Sequence, residues 1–267
     1  MHIDLTGEVA VVTGVLGRLG PVWARALLDA GARVVGLDLA ETASRRLEEA
    51  LAGGDRERFT LVGADITDRG ALDRALRRCV SVAGPPTILV NNAGIDQPPS
   101  ADGQSRLFGD LPDAPSAEVL EVNALGTLRV CQVFGSHMAS RGRGSIVNIG
   151  SLYGGLAPDP RLYAHLPMDP PFLKPPAYGM SKAGVAALSR YLAALWGPHG
   201  VRVNTLSPGG VLGEQDEVFR ERFSARTPLG RMALRGDLTG PLLFLASGMS
   251  AYVTGTELLV DGGFSCW

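Results

Sequence analysis

The stretch Val9-Ala10-Val11-Val12-Thr13-Gly14-Val15-Leu16-Gly17-Arg18-Leu19-Gly20 decides the fold. Four apolar residues in a row, three of them β-branched, suit a strand buried on both faces. The glycines let the chain turn tightly, and Trp23-Ala24-Arg25-Ala26-Leu27-Leu28 then reads as a helix. A strand that passes through glycines into a helix brings the helix N-terminal amides to the turn, where a pyrophosphate can rest. Glycines serve a bare turn equally well; their position after the first strand favours a dinucleotide. Asp38 closes the next apolar run, at the spacing of about 20 residues where a carboxylate accepts from the ribose hydroxyls of NAD. The same carboxylate would repel the 2′-phosphate of NADP. Leu39 supplies no compensating charge, although Arg18, Arg45 and Arg46 could approach. Asp38 could also cap the following helix.

Outward from this stretch, short apolar runs alternate with helical patterns. Arg33–Leu37, Phe59–Val62, Ile88–Val90, Ser145–Ile149, Val201–Asn204 and Leu258–Val260 read as further strands, and Ala43–Leu51 and Ala71–Val82 as helices. Buried strands separated by amphipathic helices imply a parallel sheet covered on both faces. The expectation is therefore an α/β fold: a single Rossmann-like doubly wound domain over 1–267, with a mostly parallel seven-stranded sheet. Two segments interrupt the rhythm, 95–115 and the proline-rich 155–177. Both follow strands, and ligands of open α/β sheets bind beyond the strands' carboxyl ends. The second reads as a substrate lid, because long loops in compact domains are commonly functional and prolines reduce the entropy cost of ordering one.

Composition narrows the class. With 45% hydrophobic and 19% charged residues the chain can bury a large core, and a net charge of −2 without a basic stripe argues against nucleic acid or an acidic membrane surface. The start, from Met1 to Gly7, lacks the pattern of a signal peptide, and no apolar run reaches the ~20 residues of a membrane span. Cys79, Cys131 and Cys266 have no metal-ligand spacing, so no metal is expected. A cytoplasmic enzyme is expected. Only two lysines occur, Lys174 and Lys182, in an otherwise arginine-based chain. Lys182 lies one helical turn after Tyr178, so both share a face, and a compact ammonium there can hold a phenol near ionisation. Lys174 has no comparable partner in the local sequence.

At this point the chain resembles the short-chain dehydrogenases/reductases of the compact single-domain type. The resemblance rests on motifs in the expected order: the Thr13–Gly20 loop, Asp65-Ile66, Asn91-Asn92-Ala93-Gly94, Asn123, Ser151, Tyr178-x-x-x-Lys182, Ser207-Pro208-Gly209-Gly210 and Val260-Asp261-Gly262-Gly263. It implies a proton-handling group of Asn123, Ser151, Tyr178 and Lys182. Tyr178 would be the general acid/base, its phenol lowered from about 10 by the ammonium. Lys182 would also bond the nicotinamide ribose, Ser151 would orient the substrate oxygen, and Asn123 would hold a water leading to solvent. Cofactor contacts carried over are Gly14, Gly17, Arg18, Leu19, Gly20, Asp38, Leu39, Asp65, Ile66, Asn92, Ala93, Gly94, Pro208, Gly209 and Val211, with NAD favoured over NADP.

Three departures stand out. Arg18 occupies the place of the usual middle glycine; Ser151 and Tyr178 lie 27 residues apart, about twice the family's separation; and Leu212-Gly213-Glu214 replaces a customary threonine. Substrate candidates are Asp96, Ser151, Tyr153, Arg161 and His165, which suggest a polar, hydroxylated or charged small molecule. Ser151 to Pro158 is also similar to members linked to sugar and flagellin-glycan modification. The leading expectation is NAD-dependent interconversion of an alcohol and a ketone. The alternatives are an NADPH-dependent ketoreductase, a sugar epimerase retaining NAD, and a non-catalytic dinucleotide-binding regulator. Apolar positions around the helix after Tyr178, together with the tail Phe264–Trp267, suggest a homodimer or homotetramer.

Overall fold

The computed structural model describes residues 3–52, 56–99 and 106–267. Met1 and His2 of the expected leaderless start, and 100–105 of the 95–115 segment, lie outside the described residues. Seven strands form one sheet: β1 Val9–Thr13, β2 Arg33–Asp38, β3 Phe59–Gly63, β4 Ile88–Asn91, β5 Gly144–Ile149, β6 Val201–Pro208 and β7 Glu257–Val260. Their order is β3-β2-β1-β4-β5-β6-β7, and every neighbouring pair is parallel. The chain winds outward from β1 to β3, then returns to lay β4 on the other side of β1. A crevice opens at this reversal, beyond the carboxyl ends of β1 and β4.

The period of two along β1 assigns the two cores. Ala10 and Val12 pack with helices α1 (Gly20–Asp29) and α9 (Thr239–Ala246), whereas Val9 and Val11 face α3 (Arg69–Val82) and α7 (Pro176–Trp196). Trp23, Leu27 and Leu28 of α1 are fully buried, each contributing about 1.5–3 kcal/mol. Ser44 caps α2 (Arg45–Leu51) by accepting from Leu47 N, so capping is not the task of Asp38.

Between β4 and β5 lies a continuous helical run: α4 (Asp113–Leu120), a π-helical stretch Glu121–Gly126, α5 (Thr127–Val130), a second π stretch Cys131–Gly135 and α6 (Ser136–Ser140). It begins inside the segment expected to be loop. Wide π turns recur at functional sites, and Asn123 sits on the first of them.

A third, separate core lies under the proline-rich segment. Phe172, Tyr163, Phe219, Phe223 and Phe264 pack ring against ring in that order, with centroids 4.5 to 5.9 Å apart. Phe219 and Phe223 belong to α8 (Glu217–Arg226). Phe264 is thus committed to the interior. Of the C-terminal tail, Cys266 and Trp267 remain at the surface, with Trp267 Nε1 donating to Arg226 O at 3.0 Å.

Candidate active site

The glycine loop is built for close approach. Gly14 has φ +64°, and a Cβ there would lie 2.6 Å from Ala93 Cα. A Cβ on Gly20 would lie 2.3 Å from Gly14 O, so neither position accepts a side chain. Gly17 is less constrained, its nearest neighbour being Gly14 O at 3.2 Å. Asn92 fastens the loop: Nδ2 donates to Thr13 O and Gly14 O at 3.0 Å, while Oδ1 accepts from Trp23 Nε1 at 2.8 Å. The Asp38 carboxylate accepts from Leu16 N and Leu39 N, both at 2.8 Å, which fixes it at the mouth of the crevice.

A cavity of about 900 Å³ follows the crevice. Gly14, Gly17, Arg18 and Leu19 line one end with Asp38, Leu39, Asp65 and Ile66; Asn92, Ala93 and Gly94 line the middle; Tyr178, Lys182, Pro208, Gly209 and Val211 line the other end. Gly20 lies behind the loop, and Asn123 is buried beneath the floor. A long groove with a backbone cradle at one end and a ribose-seeking carboxylate beside it fits a nicotinamide dinucleotide. The loop after β6 adds a feature absent from the motifs. Glu214 reaches back to Arg46 at 2.9 Å and Arg18 at 3.8 Å, and Arg45 pairs with Glu49. Arg45 and Arg46 are thus paired with carboxylates, whereas Arg18 is held only loosely.

A second cavity, of about 1640 Å³, adjoins the first, and Asp96, Ser151 and Tyr178 line both. Ser151 follows β5; its hydroxyl accepts from Tyr153 N at 3.2 Å and is hydrogen-bonded to Tyr178. Tyr178 stands on the first turn of α7. Lys182, one turn later, donates from Nζ to Ile149 O at 2.8 Å and lies 5.8 Å from the Tyr178 ring centroid. Asn123 Nδ2 donates to Ile95 O and Ser181 Oγ, and Oδ1 accepts from Ile95 N at 2.8 Å. Both amide donors are thus taken, and one lone pair of Oδ1 remains for the gap beside Gly94 and Lys182.

The electrostatics differ from the sequence expectation in one respect. Burial chiefly, with the Asp96 carboxylate adding to it, pushes the Tyr178 phenol up to about 12, and the Ser151 hydrogen bond is the one influence that pulls it down. Burial also brings Lys182 down to about 8, against the pull of Asp96. At about 8 the lysine still keeps its proton near neutral pH, but it gives the proton up more readily than an exposed lysine would.

The substrate candidates divide. Asp96, Ser151 and Tyr153 line the larger cavity. Arg161 does not: its guanidinium wraps Asp159 at 2.9–3.2 Å and lines a separate surface hollow with Arg226 and Trp267. His165 does not line the larger cavity either: its ring is mostly buried against the start of α8, Nε2 being 2.7 Å from Asp216 and Nδ1 3.3 Å from Arg222. These polar groups hold the proline-rich segment onto α8, since Asp159 also accepts from Arg226 Nη1 at 2.7 Å. The residue missed by sequence reasoning is Lys174. Its buried side chain meets both oxygens of Asp96 at 2.6 Å, and Nζ lies 5.1 Å from the Tyr178 ring centroid. Its rarity in the composition was the one signal available.

Known proteins share this arrangement. Residues 8–165 match the short chain dehydrogenase family model, and residues 170–265 match a model described as Enoyl-(Acyl carrier protein) reductase. Galactitol 2-dehydrogenase of Rhizobium johnstonii is 37% identical over 98% of this chain and 97% of its own. D-threitol dehydrogenase of Mycolicibacterium smegmatis is 34% identical over 98% of this chain and 94% of its own. Among solved structures, a short chain dehydrogenase from Leptospira borgpetersenii with bound NAD+ superposes with a TM-score of 0.82 at 34% identity, covering 99% of this chain and 94% of that one. A gluconate 5-dehydrogenase from Burkholderia cenocepacia, in complex with NADP and tartrate, gives 0.82 at 28% identity, covering 100% and 98%. With the glycine cradle, the tyrosine and lysine on one helical face and this breadth of similarity together, the chain belongs to the short-chain dehydrogenases/reductases, NAD(P)-dependent oxidoreductases acting on CH–OH groups.

Proposed function

We propose that this enzyme is an NAD-dependent polyol dehydrogenase, oxidising one secondary alcohol of an open-chain sugar alcohol to a ketone. The observation that carries this reading is the place of Ser151 and Tyr178 on the wall shared by the dinucleotide crevice and a cavity edged with Asp96, Asp110, Tyr153, Lys174 and Gln215. A polyol offers hydroxyls along its whole length, and each leaves water only for another hydrogen-bonding partner. The relatives named for galactitol and D-threitol support the same substrate class.

Bound NAD supplies the hydride acceptor. The loop Gly14–Gly17, which Gly20 packs behind, would hold its pyrophosphate, and Asp38 would meet its ribose. Asp38 would repel a 2′-phosphate, and Glu214 draws Arg46 away from it, which favours NAD over NADP. Ser151 orients the substrate hydroxyl. Tyr178 accepts that hydroxyl's proton, and Lys182, close to neutrality at about 8, passes protons onward. Residues 155–177 act as the lid of a single catalytic domain.

The test is NADH formation across a panel of polyols that includes galactitol, threitol and arabinitol. Turnover on at least one, lost in Tyr178→Phe, is expected. Fluorescence titration with NADH and NADPH checks the cofactor, and tighter NADPH binding would overturn that assignment. Met180, Tyr191 and Leu195 leave an apolar strip exposed on α7. We assign this strip to a homodimer or homotetramer contact.

A further inference from the structure

The two lysines of this chain, far apart in role by sequence, both approach the same ring: Lys174 at 5.1 Å and Lys182 at 5.8 Å from the Tyr178 centroid. Lys174 comes from the proline-rich segment and Asp96 from the loop after β4, and their pair bridges the cavity mouth at 2.6 Å to each carboxylate oxygen. We propose that Lys174 is a positioning residue for proton transfer at Tyr178: it clamps Asp96 beside the tyrosine and offsets part of that carboxylate's charge, which eases formation of the phenolate. This rests on Tyr178 as the acid/base.

The surroundings leave Asp96 as the principal anion to be offset. The loop after β5 presents Ser151 and Tyr153, and the proline-rich segment presents Tyr163, which is hydrogen-bonded to Tyr153. Helix α7 presents Lys182, while Glu214 and Asp216 lie in the loop after β6, along the same cavity. Of these, Asp96 bears on Tyr178 and on Lys182 alike, raising both. An unpaired carboxylate there would oppose a second negative charge on the phenol. Lys182 cannot offset it fully, because its own ammonium is costly in so buried a place. Lys174 meets the charge at its source. The proline-rich segment, about twice the family's usual length between serine and tyrosine, is what delivers it.

The experiment measures pH profiles of kcat and KM for polyol oxidation by the full chain, with the variants Lys174→Met, Lys174→Arg, Asp96→Asn and the double variant Lys174→Met/Asp96→Asn. Lys174→Met is expected to move the rising limb of kcat upward by about one pH unit, roughly tenfold in rate below the limb. Asp96→Asn moves the limb downward. The double variant returns it toward the parent, and Lys174→Arg, keeping the charge, restores it. An unmoved limb with a raised KM would make Lys174 a substrate contact and overturn the proposal. So would a double variant as impaired as Lys174→Met alone, which signals a structural role. Should Lys174→Met fail to fold, the double variant read against Asp96→Asn decides, because adding Lys174→Met to Asp96→Asn must raise the limb. Ultraviolet titration of tyrosinate, taken as the difference from Tyr178→Phe, reads the same shift without any substrate. If Tyr178→Phe keeps its activity, the acid/base reading itself has failed, an outcome distinct from an unmoved limb in Lys174→Met.

Discussion

At Tyr178, burial and Asp96 raise the phenol to about 12 while the Ser151 hydroxyl is the opposing influence. Oxidation needs the phenolate and reduction the phenol. Oxidation should therefore climb as pH rises from neutrality, and reduction should stay level until far into the alkaline range; initial rates in both directions check this. Removing the hydroxyl with Tyr178→Phe should cost about 10²–10⁴-fold in kcat/KM. The glycine loop gives a prediction of a different kind. A methyl at Gly20 would have to occupy space 2.3 Å from Gly14 O, so Gly20→Ala should abolish NADH fluorescence enhancement while the protein stays folded by circular dichroism. The buried thiols Cys79 and Cys131, both pushed up to about 12 by burial, should resist alkylation that readily modifies exposed Cys266.

Helix α7 carries both Tyr178 and Lys182, and its seat on the sheet is polar as well as apolar. Asn91 Nδ2 donates to Asn148 Oδ1 at 2.7 Å, Asn148 Nδ2 to Ser189 Oγ at 2.8 Å, and Thr205 Oγ1 to the same serine at 2.7 Å. This chain crosses β4, β5 and β6 and ends on α7, so the register of the helix on the sheet is fixed by directional bonds. Asn148→Ala would orphan partners on both sides. It should lower stability by about 1–3 kcal/mol in urea unfolding. The proline-rich segment has its own fastening. Hydrogen bonding to Arg161, with Arg226 adding its charge, holds the Asp159 carboxyl down at about 2. A carboxylate depressed in the folded state contributes in full above its ordinary range and loses that contribution as pH falls from about 4 toward 2. Proteolytic nicking within 155–177 by an acid protease should rise across that interval, and Asp159→Asn should show it already at neutral pH with a protease active there.

Over the whole molecule, what could be read in advance was what the chain writes locally. Strand runs such as Val9–Val12 and the Tyr178–Lys182 spacing depend on neighbours within one element, and their periods appear directly. The helical run from 113 to 140 was harder. Val119, Val130, Val133, Phe134 and Met138 are buried on several sides, and two π stretches alter its phase, so no clean polar face marks it out. Lys174–Asp96 and Glu214–Arg46 were harder still, because they join loops that only the completed sheet brings together. Arg161 and His165 misled for the same reason: charge in a lid was legible, but which way it faced depended on α8. The exposed α7 strip belongs to this scale too. Light scattering should give at least twice the mass of one chain, and Tyr191→Glu should reduce it.

The stacked rings under the proline-rich segment have a consequence for how the molecule is made. Tyr163 and Phe172 emerge early from a ribosome, whereas Phe223 must wait for Phe264, whose ring lies 4.5 Å away and closes the stack. The dinucleotide crevice draws most of its wall from residues up to Lys182, whereas the aromatic core behind the substrate chamber is closed only by Phe264. A nascent chain can therefore shape most of its cofactor groove before the support of its substrate chamber is complete.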